Sequence, residues 1–187
     1  IEILKKDRRK VNFYEVENTR LKRLLDITEK RYANKITARV LINSYKEKNS
    51  SFFIDVGKSS GVKLNDIVFN EFGMIGRITE LGRYSSKVLT IYDQSSVIPV
   101  FSVNSKKSFF LEGDKDKLKL KHIENIFSLK HDEIILTTDA AGYFKDGITI
   151  GRIKKTLNSV YVQPFAKNSD SIYVSVLIYD FEKRFDN

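Results

Sequence analysis

The chain has no cysteine, only two prolines and no long apolar run among its 187 residues. Without cysteine it can form no disulfide framework, no thiolate metal site and no cysteine nucleophile. No stretch of about 18 or more apolar residues is present, so no segment of this sequence is predicted to span a bilayer as a helix. The scarcity of proline, together with 41% hydrophobic residues, indicates a chain that buries a real core.

The net charge is +9 at pH 7, and more than half of the excess lies at the N-terminus. Residues 1–35 hold eleven Lys or Arg against six Asp or Glu, a net of +5, and the rest of the chain carries +4. Such a balance suits nucleic acid or an anionic surface as partner. The basic run from Lys5 to Lys10 fits either contact with anionic lipid or the solvated flank of a helix, and the sequence leaves both open.

Residues 1–35 have the pattern of an amphipathic helix with a heptad repeat, uninterrupted by glycine or proline. A helix with so narrow an apolar stripe is not stable alone in water, which favours pairing with another helix and predicts a coiled-coil-type dimerisation helix. Asn18 at an a position favours two parallel strands in register. Packing of the helix on the chain's own β-region is the alternative. The predicted self-association residues are Leu4, Val11, Tyr14, Asn18, Leu21, Leu25 and Tyr32.

After Asn34 the hydrophobic period changes from helical to two, the period of a half-buried strand. About a dozen short strands with turns between them, and no helical stretch, indicate sandwiches or barrels and not a crossover α/β sheet. The predicted strands cover 36–42, 51–56, 67–70, 74–81, 87–92, 97–103, 108–112, 117–123, 133–138, 148–154, 160–165 and 172–179.

Glycines punctuate the stretch from Ile54 to Ile78, which is typical of a β-meander, because glycine adopts the positive φ that sharp reversals require. The sequence Ile-Gly-Arg-Ile occurs at 75–78 and again at 150–153. Two small β-units of related design are the simplest explanation. The predicted turn or structural glycines are Gly57, Gly61, Gly73, Gly76, Gly147 and Gly151.

The predicted fold class is mainly β: an N-terminal coiled-coil-type helix followed by two small β-barrel domains. Six predicted strands lie between 84 and 155, four precede them and two follow. We therefore predict a dimerisation helix over 1–35, a discontinuous first barrel from 36–83 and 156–181, and a second barrel inserted at 84–155. A plain sequential split of the chain is the alternative.

The sequence has few candidates for catalytic or metal-binding residues. His122 and His131 are the only histidines, and His122 continues the face of Leu118 and Leu120, where a packed or edge histidine is the more common role. The turn 59–61, Ser-Ser-Gly, has no obvious base beside it, and no metal-ligand triad or phosphate-binding glycine loop occurs. The sequence predicts no enzyme, no catalytic residue, no cofactor and no metal.

A single-stranded nucleic-acid-binding β-barrel is the alternative function, with bases stacked on exposed aromatics and Lys117, Lys119 and Lys121 on the phosphates. The aromatic pairs 52–53 and 109–110 are adjacent, so one member of each faces the core of a strand-built domain. The excess of +4 in the β-region is also modest for this function.

The order and spacing of several short sequence motifs resemble those of a known protein family. The motifs are Glu17 to Leu25 at the end of the helix, Ala38 to Leu41, Ile54 to Gly57 with Gly61 and Val62, Gly73 to Ile78, Ser86 to Leu89, and Asp146 to Ile153. Over nearly its whole length the chain resembles the rod shape-determining protein MreC family, in its extracytoplasmic region.

The resemblance implies a non-enzymatic scaffold of the bacterial cell-wall elongation machinery that self-associates and binds the elongation penicillin-binding transpeptidase to control cell shape. It also implies association with MreD, RodA and MreB. The expected location is the inner membrane, crossed once by a segment missing from this chain, with this region in the periplasm or outside the membrane. Exposed aromatics are then the candidate docking residues: Phe52, Phe53, Phe109, Phe110, Tyr173 and Tyr179.

Overall fold

The computed structural model describes residues 34–43, 51–123, 125–139, 146–157, 159–167 and 172–178, together with Val11, Tyr14 and Phe144. Within these residues the chain forms twelve β-strands and two short 3-10 helices, and every strand falls where alternation predicted one. The strands are β1 (Lys35–Asn43), β2 (Ser51–Ile54), β3 (Ile67–Phe69), β4 (Met74–Leu81), β5 (Ser86–Thr90), β6 (Val97–Ser102), β7 (Ser108–Asp114), β8 (Lys117–Lys121), β9 (Ile134–Thr137), β10 (Thr149–Lys155), β11 (Val160–Pro164) and β12 (Tyr173–Leu177); the 3-10 helices are Lys58–Ser60 and Ile126–Ser128.

The predicted N-terminal helix is described at two positions only. Val11 and Tyr14 have helical conformation, and the other five predicted seam residues lie outside the described residues. Residues Ile1–Asn34 form one compact unit and Lys35–Asn187 a second, which contains all the strands. In the part of the chain that the structure describes, no helix is long and apolar enough to cross a membrane.

The twelve strands close into two antiparallel barrels of six strands each, which confirms the predicted pair of barrels. The ring order is β1-β12-β3-β4-β5-β2 in the first barrel and β10-β11-β8-β7-β6-β9 in the second. Closure pairs every strand on both sides and so removes the exposed edges that invite aggregation. Alternate residues fill each interior, among them Phe52, Ile54, Val68 and Ile78 in the first barrel and Val100, Leu111, Leu118 and Ile135 in the second.

The two rings have the same connectivity, related by a circular permutation. Around the second ring the strands follow the order β6, β7, β8, β11, β10 and β9, and β9 pairs with β6. Around the first ring the corresponding order is β12, β1, β2, β5, β4 and β3, and β3 pairs with β12. The C-terminal β12 thus takes the place that β6 has in the second barrel. The prediction of two related β-units is confirmed.

All strands of the second barrel lie, in sequence, between β5 and β12 of the first. The predicted boundaries at 84 and 155 are each wrong by one strand, because β5 belongs to the first barrel and β11 to the second. Both boundaries cut a hairpin: β4 pairs with β5, and β10 pairs with β11. A short polar hairpin turn has the same composition as a short linker, so composition does not distinguish them.

The repeated Ile-Gly-Arg-Ile sequence occupies equivalent strands of the two barrels, β4 and β10. The pairing of β4 with β3 shifts at Ile75, and that of β10 with β9 shifts at Ile150, so each repeat begins with a β-bulge. A Cβ on the following glycine, Gly76 or Gly151, would overlap a backbone carbonyl of the next strand. Bulge and glycine together let a short strand coil tightly enough to close a small barrel. These two glycines are therefore strand residues and not turn residues.

Three of the other predicted glycines shape turns. Gly61 and Gly147 have φ angles of 83° and 84°. Gly57 lies against the turn between β4 and β5, where a Cβ would stand 2.5 Å from the carbonyl oxygen of Gly82. Ser59 braces the same pair of turns, because its hydroxyl donates to the carbonyl of Arg83 at 2.7 Å. This contact gives the Ser-Ser-Gly turn a structural function.

A buried joint connects the barrels. Ile67, Met74 and Leu177 project from strands of the first barrel into the buried cluster that forms the core of the second. Their strand neighbours Val68 and Val176 belong instead to the first barrel's own core. The second barrel therefore covers these three side chains of the first. An apolar joint of this kind opposes the relative motion that small polar interfaces allow.

Two close contacts fix the geometry of this joint. Gly73, with φ of 155°, approaches the second barrel so closely that a Cβ would stand 2.5 Å from the carbonyl oxygen of Thr149. The hydroxyl of Tyr92 donates to the carbonyl of Ala166 at 2.6 Å. Tyr92 follows β5 and Ala166 follows β11, so this hydrogen bond connects the two segments through which the chain passes between the barrels. Burial raises the pKa of Tyr92 to about 12, with a smaller contribution from the charge of Asp116. The hydroxyl therefore remains a donor at all physiological pH values.

Candidate docking cleft

The structure separates the aromatic residues that the sequence predicted for docking. Phe52 and Phe109 are 1% and 3% exposed and belong to the two cores, so the prediction is wrong for them. Their neighbours Phe53 and Phe110 are half-buried on β2 and β7. Tyr173 on β12 is 62% exposed. These last three lie on β2, β7 and β12, no two of which pair with each other. Tyr179 lies outside the described residues.

Tyr173 instead contributes to a cleft of about 540 Å³ beside the joint. Three segments that are distant in sequence meet there: the turn between β3 and β4, the residues after β11, and the start of β12. The lining residues are Asn70, Glu71, Phe72, Phe165, Lys167, Ile172 and Tyr173. We call this group the inter-barrel cleft.

The turn from Asn70 to Gly73 forms one wall of the inter-barrel cleft. The Asn70 side-chain oxygen accepts hydrogen bonds from the backbone N–H of Phe72 at 2.9 Å and of Gly73 at 3.1 Å, an Asx turn that organises the loop. Asn70 N–H also donates to the Gly73 carbonyl at 3.0 Å. Phe72 stands at the tip of this braced turn with 59% of its surface exposed. Its position is thus defined although the side chain is not buried.

The segment after β11 forms the opposite wall. Phe165 N–H donates to the carbonyl of Ile150 at 2.9 Å, which holds the segment against the second barrel. The guanidinium of Arg152 lies 5.0 Å from the centre of the Phe165 ring, within the range of a cation–π contact. Ile172, which is 69% exposed, completes the apolar part of the cleft.

The inter-barrel cleft combines exposed apolar side chains with charged side chains at its margin. Phe72, Ile172 and Tyr173 expose apolar area side by side, and Lys167 and Glu71 add one charge of each sign at the margin. Aromatic anchors with a polar rim are the usual composition of an interface centre. Of the lining residues, only Tyr173 was predicted from the sequence. Phe72, a large apolar residue within a turn sequence, was the available signal for the others.

The histidines and lysines considered for other functions have structural contacts. The ring of His122 meets the ring of Phe110 edge to face at 5.8 Å, and His131 Nδ1 accepts the backbone N–H of Lys155 at 3.1 Å. No cluster of metal-ligating side chains occurs among the residues described. The three lysines of the nucleic-acid hypothesis are engaged within the second barrel: Lys119 with Asp114 at 3.2 Å, Lys121 with Glu112 at 3.1 Å, and Lys117 over the ring of Tyr161 at 5.3 Å.

Comparison with known sequences gives one consistent result. The family model described as rod shape-determining protein MreC, barrel core, matches residues 40–178. The chain is 30% identical to the cell shape-determining protein MreC of Listeria monocytogenes over 176 residues, which cover 86% of this chain and 59% of that protein. It is 27% identical to MreC of Caulobacter vibrioides over 173 residues, 91% of this chain and 50% of the relative. The chain therefore spans about half the length of the curated relatives it matches.

Solved structures share the architecture. An MreC structure from Listeria monocytogenes superposes with a TM-score of 0.72 at 27% identity and covers 94% of this chain and 90% of that one. A structure described as the major periplasmic domain of the cell shape-determining filament MreC gives a TM-score of 0.68 at 19% identity, covering 76% and 96%. MreC in a complex with a penicillin-binding protein (PBP2) from Helicobacter pylori gives 0.57 at 11% identity, covering 78% and 100%. The last two show a shared fold.

Proposed function

This chain belongs to the MreC family of rod shape-determining proteins, and from that premise we propose that it is a non-enzymatic scaffold of the bacterial cell-wall elongation machinery. In this proposal it self-associates and binds the elongation penicillin-binding transpeptidase. The observation that carries the proposal is the inter-barrel cleft, whose exposed aromatic residues have no function in either core. The complex of a Helicobacter pylori relative with a penicillin-binding protein supports the class of partner.

Docking in the inter-barrel cleft is supported by the cost of leaving such a surface in water. Phe72, Ile172 and Tyr173 are each at least 59% exposed and line the same cleft. Contiguous exposed apolar side chains mark interaction sites more often than singly exposed ones. Both walls are held by backbone hydrogen bonds, so a partner meets a largely preformed site and loses little conformational entropy.

Phe72→Asp and Tyr173→Asp are each expected to weaken binding of the transpeptidase ectodomain at least tenfold, about 1.4 kcal/mol, because each places a charge where an apolar contact forms. Isothermal titration or biolayer interferometry measures the affinity. Tyr84→Asp is the matched control, since Tyr84 is 66% exposed on the turn between β4 and β5, outside the cleft. Equal affinities for the cleft and control variants would contradict docking at this site.

Three other predicted aromatics stay proposals for transpeptidase contact. Phe53 and Phe110 each keep part of the ring accessible, and Tyr179 follows β12, the strand that begins in the cleft. Phe53→Ala and Phe110→Ala test whether the contact extends beyond the inter-barrel cleft. A loss of affinity in these variants but not in Phe72→Asp would move the docking surface onto the barrel sides.

Self-association is proposed to occur through the N-terminal helical seam. Val11 and Tyr14, at successive a and d positions, are helical and 54% and 65% exposed. Apolar seam positions that remain exposed in one chain are suited to pairing with a second helix. A register-specifying role for Asn18 rests on the same heptad, as do the proposed contacts of Leu4, Leu21, Leu25 and Tyr32.

Leu21→Asp is expected to convert the self-associated species to monomer, because it puts a carboxylate at a d position. Sedimentation velocity across a concentration series measures the change. Arg23→Asp, two residues further and on the outer side of the same heptad, is the control and should leave association intact. A wild-type chain that stays monomeric at high micromolar concentration contradicts the seam directly.

The proposed setting is the inner membrane of a bacterium, crossed once by the protein, with the barrels in the periplasm or outside the membrane. A relative's structure is described as a periplasmic domain, which supports this side. MreD, RodA and MreB are the further proposed members of the machinery. Helix pairing would set two barrel units at a defined distance from the membrane, and docking would favour one conformation of the transpeptidase through a difference in affinity for its two states.

A further inference from the structure

The end of the second barrel away from the joint has a surface that the proposed scaffold function does not use. We call it the distal cap, and it consists of residues 103–107, 130–134, 154–157 and Ser159. It lies at the opposite end of β10 from Thr149, the residue that meets the first barrel. Its five lysines are Lys106, Lys107, Lys130, Lys154 and Lys155.

Backbone contacts join the segments of the distal cap into one surface. Val103 N–H donates to the carbonyl of Ile134 at 3.3 Å, which connects the first segment to the second. Lys155 N–H donates to the Nδ1 atom of His131 at 3.1 Å, which connects the third segment to the second. Thr156 N–H donates to the carbonyl of Ser159 at 2.8 Å and closes the hairpin turn at its edge. The segments that carry the five lysines are therefore neighbours in space.

The outward charge of the distal cap is positive. Its two acidic residues are neutralised locally: Glu133 is buried and accepts hydrogen bonds from Ser102, Ser105 and Lys130 N–H, and Asp132 pairs with Lys154 at 2.5 Å. Among the residues that the structure describes, Lys106, Lys107 and Lys130 form no ion pair. Their ammonium groups are available to an external anion.

Apolar side chains project from the same surface. Val103 and Ile134 are each 43% exposed, and Leu157, in the turn between β10 and β11, is fully exposed. Thr156 and Ser159 form the hydrogen bonds of that turn, so the fold does not require a leucine between them. Turn tips are normally polar or glycine-rich. An exposed leucine two residues after the pair Lys154 and Lys155 is typical of side chains that enter the interface of a membrane.

We propose that the distal cap binds the surface of a lipid bilayer that contains anionic headgroups, with Leu157 entering the boundary between headgroups and acyl chains. The lysines attract the headgroup phosphates, and the exposed leucine favours a bilayer over a soluble polyanion, which offers no apolar phase. The loops are preorganised, since the backbone N–H groups of Ser105 and Lys130 donate to the Glu133 carboxylate. Lys106 and Asp132, with φ angles of 52° and 60°, lie one and two residues beyond these donors. This membrane contact is independent of transpeptidase docking.

Vesicle sedimentation with the 187-residue chain tests the proposal, using phosphatidylglycerol–phosphatidylcholine vesicles against phosphatidylcholine alone. The double variant Lys106→Gln, Lys107→Gln is expected to weaken binding to the anionic vesicles at least tenfold, since each basic residue near such a surface contributes roughly fivefold. Leu157→Asp is expected to weaken it about tenfold by removing the apolar insertion. All of these positions are on the surface, and unchanged thermal unfolding would show that the variants fold.

Matched changes on the first barrel are the controls: Lys35→Gln with Lys58→Gln, and Leu64→Asp, all at exposed positions. They should bind as the wild type does. Unchanged binding of the distal-cap variants would overturn the proposal and assign any lipid affinity to other basic residues, such as the run at Lys5 to Lys10. Equal binding of soluble polyphosphate, with Leu157→Asp unaffected, would overturn it in favour of a polyanion site. Transpeptidase affinity is expected to stay unchanged in these variants, so failure here leaves the scaffold proposal standing.

Discussion

Gly73→Ala is expected to lower the free energy of unfolding by about 3 kcal/mol, a loss that combines backbone strain and overpacking. The φ of 155° at Gly73 is a conformation that residues with a Cβ rarely adopt. The added Cβ would also stand 2.5 Å from the carbonyl oxygen of Thr149, a backbone atom on a paired strand of the other barrel. The turn at Gly73 belongs to the first barrel and Thr149 to a strand of the second. Because each closed barrel holds its own part in place, neither can shift alone to relieve the overlap.

Gly61→Ala separates the two causes. Gly61 has a φ of 83°, but its Cβ would meet nothing within 4 Å, so only backbone strain is added. Its expected cost is about 1 kcal/mol. Urea unfolding of both variants measures the difference, and equal small losses would mean that the barrels separate easily at Gly73. Because Phe72 in the same turn lines the inter-barrel cleft, Gly73→Ala is also expected to weaken transpeptidase docking.

The alternation of apolar and polar residues predicted the strands, because each strand has one face in a barrel interior. Val174 and Val176 were predicted to share a face and are 3% and 0% exposed, and Tyr173 on the other face is 62% exposed. Leu177 lies on that outer face too but is 1% exposed, because the second barrel covers it. A period of two distinguishes the faces of a strand, but it does not show which outward residues another domain buries.

The closure of each barrel was not predictable in detail because it depends on non-local pairing. β12, near the end of the chain, pairs with β1 and β3, which lie more than 100 residues away in sequence, and so completes the first barrel. Local composition carries no information on this partner. The repeated Ile-Gly-Arg-Ile was the one sequence signal of the shared topology, because both copies perform the same bend at equivalent strands.

The inter-barrel cleft was missed for a related reason. Its walls come from three segments, and only their meeting at the joint makes Phe72, Phe165 and Tyr173 neighbours. The prediction from adjacent phenylalanine pairs assumed that an aromatic residue on an outer face is a docking residue. The structure shows half-buried positions for Phe53 and Phe110, and a wholly unpredicted residue at the turn tip.

A second large loss of stability is expected for Glu133→Gln, about 3 kcal/mol at neutral pH. Glu133 is 1% exposed, and its carboxylate accepts hydrogen bonds from the hydroxyl of Ser102, from the hydroxyl and backbone N–H of Ser105, and from Lys130 N–H at 3.0 Å. Three of the four donors come from two loops, at Ser105 and Lys130, and the fourth is on Ser102, the last residue of β6. The carboxylate therefore holds both loops and the end of β6 to the start of β9. A glutamine would turn an N–H₂ group toward some of these donors and leave them without an acceptor. Glu80→Gln, at an exposed ion pair with Lys87, is the control and should change stability far less.

The pH dependence of this loss identifies the charge as its cause. Burial, the largest single effect, raises the pKa of Glu133, but the hydrogen bonds from Ser102, Lys130 and Ser105 together outweigh it, and the pKa in the folded chain is lowered. Below about pH 4.3, the ordinary value for glutamate, the unfolded chain takes up a proton that the folded chain does not, so the stabilisation falls as the pH falls. The gap in unfolding free energy between wild type and Glu133→Gln should therefore stay constant from neutral pH to about pH 5 and narrow below about pH 4.3. Urea unfolding at pH 7, 5, 4 and 3 measures this gap; a gap that widens on acidification would mean that burial, not the hydrogen bonds, decides the protonation of Glu133.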